Sequence, residues 1–123
     1  MKILLDTHIF LWLAAGEYRR IEAKMPLLYD TANTLYLSSI SIAEIMIKRS
    51  LGKLVFEADI LALLEAMTIE VLDFDGSSAV ELAALPYHHR DPFDRMLIAQ
   101  ARVHALSLMS VDRQFGGYEC DLV

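Results

Sequence analysis

The chain has 123 residues, 55% of them apolar and 23% charged, with 17 acidic against 11 basic side chains and a net charge of −6. That length supports one hydrophobic core and not two, so residues 1–123 are expected to form a single domain. The composition excludes a disordered chain, the negative balance argues against a protein that coats nucleic acid non-specifically, and a lone cysteine, Cys120, excludes an internal disulfide or a cysteine-built zinc site.

No run of about 18 uninterrupted apolar residues occurs. Lys2 leads straight into "ILLD" without the tripartite pattern of a secretory leader, so a cytoplasmic location away from membranes is expected. In chain order, "KILLD" (2–6) reads as a short strand ending in an acid, and "THIFLWLAAG" as an apolar helix closed by Gly16. The region 19–33 is helical but interrupted by Pro26, which predicts two short helices or a kinked one. A strand follows in "TLYLSSI" (34–40), then a helix in "SIAEIMIKRSLG" (41–52) and another in "EADILALLEAM" (57–67). "IEVLDF" (69–74) reads as a strand and "SSAVELAAL" (77–85) as a helix stopped by Pro86. The last part runs from a helix, "PFDRMLIAQARVHA" (92–105), to a strand, "LSLMSV" (106–111), with a weak fifth strand in "ECDLV".

Near-continuous apolar strands alternating with helices predict an α/β fold in three layers: a twisted parallel sheet of four to five strands with helices on both faces. Right-handed crossovers place every strand's carboxyl end on one edge, where ligands bind at the reversal of strand order. Asp6 and Asp112 fall at or just after strand ends on that edge. Glu44 falls in the first turn of the helix that leaves the same edge, and the 92–105 helix runs back far enough to return Asp94 there.

Each acid also has a purely structural reading. Ser41 and Glu44 fit a capping box; Asp91, Pro92 and Asp94 fit the N-cap, first and third positions of a helix; Asp6 and Asp112 could each cap the segment that follows. Taken together they are harder to read that way. A carboxylate among Ile42, Ala43, Ile45 and Met46 is costly unless paired, and crowded carboxylates raise one another's pKa unless a cation joins them. Oxygen-only donors point to Mg²⁺ or Mn²⁺. Asp94 is the acid expected nearer the metal, with Asp91 the helix cap. Arg95 could pair with an acid of the site or with phosphate. Lys48, Arg49 and Lys53 form a basic cluster that could meet phosphates. His8, His88, His89 and His104 are read as structural or solvated rather than as general bases, and Phe10 and Trp12 as core or dimer contacts.

With "LLDTHIFLW", "SSISIAEIMIK", "DPFDRMLIAQA" and "LMSVDRQF" in this order over nearly the whole chain, the sequence resembles a PIN domain, in particular the VapC-type toxin ribonucleases of bacterial toxin-antitoxin pairs. The resemblance implies a parallel sheet in the order 3-2-1-4-5 and an acidic quartet at Asp6, Glu44, Asp94 and Asp112, with Thr7 and Ser110 as nearby hydroxyls. It also implies Mg²⁺- or Mn²⁺-dependent RNA cleavage, a homodimer and a cognate antitoxin. A phospho-receiver domain fits less well, because only Asp6 follows the first strand and no lysine follows residue 111; a dehalogenase-type phosphatase would need a second acid in "DTH". The non-enzyme alternative is a catalytically weak PIN-like or receiver-like protein-binding module.

Overall fold

The computed structural model describes residues 1–87, 91–111 and 121–123. Among these, five strands form one all-parallel sheet: β1 (Lys2–Leu5), β2 (Thr34–Ser38), β3 (Ile69–Leu72), β4 (Ser107–Met109) and β5 (Asp121–Leu122), in the order 3-2-1-4-5. β1 lies in the middle, with Leu4 opposite Tyr36 on β2 and opposite Leu108 on β4. The expected strand order and the fifth strand are therefore both present. The edge strand β5 is tied to β4 by the Ser107 hydroxyl, which donates to Asp121 Oδ2 at 2.5 Å.

Successive residues of β1 feed opposite layers, as the pleat requires. Ile3 and Leu5 join the core on one face, with Ile9 and Phe10 of α1 (Thr7–Ala15), Leu28 of α2 (Met25–Tyr29), Ile45 of α3 (Ser39–Ser50) and Leu64 of α4 (Ile60–Ala66). Leu4 joins the other core, with Leu97, Ile98 and Ala101 of α6 (Pro92–Val103), against which α5 (Gly76–Glu81) packs. All three β1 side chains are fully buried, each worth about 1.5–3 kcal/mol of hydrophobic stabilisation.

The helix ends follow local chemistry. Gly16 takes the left-handed conformation (φ 74°) that closes α1, a position where a side chain would be strained. Pro26 lies in the first turn of α2, after a 3-10 segment at Tyr18–Lys24, so the expected interruption is a change of helix type. Asp59, Asp75 and Asp91 cap α4, α5 and α6. The helix expected over 77–85 divides into α5 and a 3-10 turn at Leu82–Ala84.

One expectation is corrected. α3 begins two residues before Ser41, because Ser38 already serves as its N-cap, accepting from the Ile40 amide at 3.1 Å. Glu44 consequently lies in the second turn and takes no part in a capping box. Among the described residues no helix is long and apolar enough to cross a membrane.

Candidate active site

Asp6 continues β1 by one residue: its amide donates to the Met109 carbonyl at 2.9 Å, carrying the β1–β4 ladder to the point where strand order reverses. It occupies the N-cap position of α1, yet its side chain makes no capping bond. Instead Oδ2 accepts from the Ser110 hydroxyl at 3.0 Å, while Oδ1 is buried with no hydrogen-bond partner among the described residues. The residue is 2% exposed. Burial pushes its carboxyl above the ordinary value; Ser110 and the nearby His8 oppose that rise, and the negative field of Glu44 adds to it.

Glu44, on α3, is 4% exposed. Its Oε2 accepts from Lys48 Nζ at 2.8 Å, one helical turn on, and its Oε1 is buried without a partner among the described residues. Three residues before it, the buried Ser41 hydroxyl accepts from the Thr7 hydroxyl at 2.8 Å. That bond joins the residue after Asp6 to the helix that carries Glu44, so the two acids are held by elements locked to one another.

The third element is the tip of α6. Asp91 Oδ1 accepts from the amides of Phe93 (2.9 Å) and Asp94 (3.3 Å), as its position before Pro92 predicts. Asp94 is the third helical residue, half-buried, and α3 packs against α6. The Lys48 ammonium lies within the field of this tip. Its hydrogen bond to Glu44 raises its pKa most, and Asp91 and Asp94 act in the same direction. Arg95, 8% exposed, anchors the tip from behind: its guanidinium donates to the carbonyls of Pro86 (2.8 Å), Leu82 and Leu85 (both 3.4 Å) and lies 4.2 Å from the centre of the Tyr87 ring. These carbonyl bonds are a role that the position beside Asp94 did not reveal.

Of the four acids singled out from the sequence, Asp6 and Glu44 are electrostatic neighbours and Asp94 reaches the same group through Lys48. Asp112 lies outside the described residues, as do His88, His89 and Cys120. Among the described residues no three acids or histidines enclose a metal position. Two features nevertheless fit a hard divalent cation: the donor set is carboxylate oxygen only, and one oxygen on each of Asp6 and Glu44 is buried with no partner among the described residues. Such atoms are costly unless a cation or donor meets them. Arg49, in the last turn of α3, and Lys53, just past its end, are exposed. The Thr7–Ser41 bond was not anticipated, because it joins residues far apart in sequence. The Lys48–Glu44 pair was readable from its four-residue spacing.

The PIN domain family model matches residues 3–119. Among curated proteins, none matches significantly by sequence. Among solved structures, VapBC2 from Rickettsia felis bound to a promoter DNA fragment is similar at 18% identity and TM-score 0.75, over 100% of this chain and 98% of that one. DNA-bound VapBC from Salmonella typhimurium is similar at 21% identity and TM-score 0.72, over 100% and 97%. FitAcB from Neisseria gonorrhoeae follows at 22% identity and TM-score 0.66, over 98% and 95%. These likenesses are of fold, and they agree with the strand order. With the family match over nearly its whole length, the chain belongs to the PIN domain family.

Proposed function

We propose that this protein is a metal-dependent endoribonuclease and the toxin of a toxin-antitoxin pair. PIN domains are generally nucleases, and such nucleases generally use divalent metals. The observation that carries the reading is the pair of buried carboxylates, Asp6 and Glu44, each with one oxygen unpartnered among the described residues, at the carboxyl edge where strand order reverses.

Asp6, Glu44, Asp94 and Asp112 would hold Mg²⁺ or Mn²⁺, whose chemistry is to activate water at neutral pH and to offset charge on a phosphodiester. The chain's own residues prepare that site. Ser110 occupies Asp6 Oδ2, and among the described residues Oδ1 has no partner. The Thr7–Ser41 bond fixes α1 against α3. Asp91 caps the helix that carries Asp94, and Arg95 pins its first turn to the chain at Leu82–Pro86. Lys48, Arg49 and Lys53 supply positive charge for an RNA backbone.

The antitoxin proposal draws on the solved relatives, which are VapBC and FitAcB complexes. An open cavity of about 600 Å³ beside α1, walled by Leu11, Trp12, Leu54 and Val55 with Lys48 at its margin, offers a surface for a partner segment. A cytoplasmic location and a homodimer complete the proposal.

The test is incubation of the purified protein with total RNA and Mg²⁺ or Mn²⁺, with sequencing of the cut ends. Cleavage should stop in EDTA and in Asp6→Asn. RNA left whole by the wild type with either metal, or cut equally well by Asp6→Asn, would overturn the assignment. A protein that binds a partner but neither binds metal nor cuts RNA would favour the binding-module alternative.

A further inference from the structure

We propose that Lys48 is the resident counter-ion of the acid rim: in the metal-free protein its ammonium holds Glu44, and a divalent cation has to displace it to take that carboxylate. The inference rests on the metal-centre reading above and adds a residue that regulates it.

Glu44 is almost wholly buried, and a buried carboxylate without a compensating charge is strongly disfavoured. Among the described residues the one ion pair it makes is with Lys48, at 2.8 Å. Lys48 satisfies only half of the carboxylate, since Oε1 has no hydrogen-bond partner among the described residues. The lysine is therefore a partial substitute for something that would use both oxygens. It also lies in the field of Asp94 and of the cap Asp91, so an acid that would attract a metal ion already attracts this ammonium. An ammonium and a divalent cation repel one another at such range, and one must give way.

Lys48 is built to give way. It sits one turn from Glu44 on the same helix, so it is present whenever α3 is formed. Its side chain is 44% exposed, and its flexible stem can turn outward without repacking the core. Arg95 makes the contrast. Its guanidinium is buried against three backbone carbonyls, and its departure would leave them without that donor. Once displaced, the Lys48 ammonium joins the exposed Arg49 in the last turn of α3 and Lys53 just past its end.

Mn²⁺ titration by calorimetry, paired with thermal unfolding in EDTA, tests this on the wild type, Lys48→Met, Lys48→Gln, Lys48→Arg and Lys53→Met. Both neutral variants should bind Mn²⁺ about five- to tenfold more tightly than the wild type, the scale of one partly solvated charge contact. Lys48→Arg should return affinity towards the wild-type value, and Lys53→Met should stay within about twofold of it because the effect is one of contact rather than net charge. In EDTA, Lys48→Met should unfold at a lower temperature than the wild type, and adding Glu44→Gln should remove that difference. Unchanged or weaker Mn²⁺ binding by both neutral variants would overturn the inference, as would an equal gain in Lys53→Met. Failure of the underlying reading shows separately, as wild-type Mn²⁺ binding that is absent or that survives Asp6→Asn undiminished.

Discussion

Two sets of carboxylates sit at helix starts in this molecule and behave in opposite ways. Asp59, Asp75 and Asp91 each accept a backbone amide of the helix they open: Ala62 at 3.3 Å, Ser78 at 3.0 Å, and Phe93 at 2.9 Å. Asp6 stands at the same kind of position before α1 and caps nothing, while Glu44 is buried one turn into α3. Each cap gives an oxygen to the backbone, and Asp75 also meets His104 Nε2 at 3.0 Å. The rim acids each take one side-chain donor and, among the described residues, leave a buried oxygen without a partner. The pKa directions follow. The side chain and amide of Ser78 hold Asp75 below the ordinary carboxylate value, whereas burial pushes Asp6 above it. An acid that the fold supports is structural; an acid that the fold penalises is retained for something else.

That comparison can be broken in several ways, from the largest effect downward. Asp6→Asn should lower metal-dependent RNA cleavage by roughly a hundredfold or more, measured on a fluorescent RNA at saturating Mn²⁺. The same substitution should raise the melting temperature in EDTA, since it removes a buried charge that the fold disfavours. A variant both inactive and less stable than the wild type would place Asp6 among the structural acids.

Arg95→Met should destabilise the protein by about 2–4 kcal/mol in urea unfolding, because one buried and two part-buried carbonyls lose a charged donor. Its cost in cleavage should appear as weaker Mn²⁺ binding, by way of the α6 tip, more than as slower turnover at saturating metal.

Asp59→Ala should cost about 1 kcal/mol of stability through the lost cap and leave cleavage unchanged. Loss of activity there would dissolve the distinction between the two sets.

The smallest effect is one of pH. Because the folded-state pKa of Asp6 is raised, the folded chain binds that proton more tightly than the unfolded chain does, and stability contributed by this group falls as pH rises through the window between the unfolded and folded values. Asp75 is lowered, so its stabilisation is present above the unfolded value and lost as pH falls through the folded one. Urea midpoints in EDTA from pH 7 downward should therefore rise relative to Asp6→Asn and fall relative to Asp75→Asn. The same sign in both comparisons would contradict the assignments.

Much of this was legible in the residues. The alternation of apolar strands with helices predicts the parallel sheet, Pro26 and Gly16 mark real ends, and the Asp91–Pro92–Asp94 spacing predicts the cap that forms. The start of α3 was not legible, because "SSIS" offers serines at both 38 and 41 as caps, and only tertiary contact decides between them: Ser41 is buried and already engaged with Thr7. Arg95 next to Asp94 suggested an ion pair or a phosphate contact, and no local signal reveals the carbonyls of residues 82 to 86 behind it.

By itself, then, the sequence determined what depends on neighbours a few residues apart: periodicity, caps, turns, and the fact that acids follow strand ends. Only the tertiary structure decided which acids remain unsatisfied. That depends on the donors that elements distant in the chain bring to each oxygen, as Ser110 does for Asp6 across the β1–β4 junction. A carboxylate's residue type fixes its charge, while its burial and its donors fix whether that charge is used by the fold or left for a ligand.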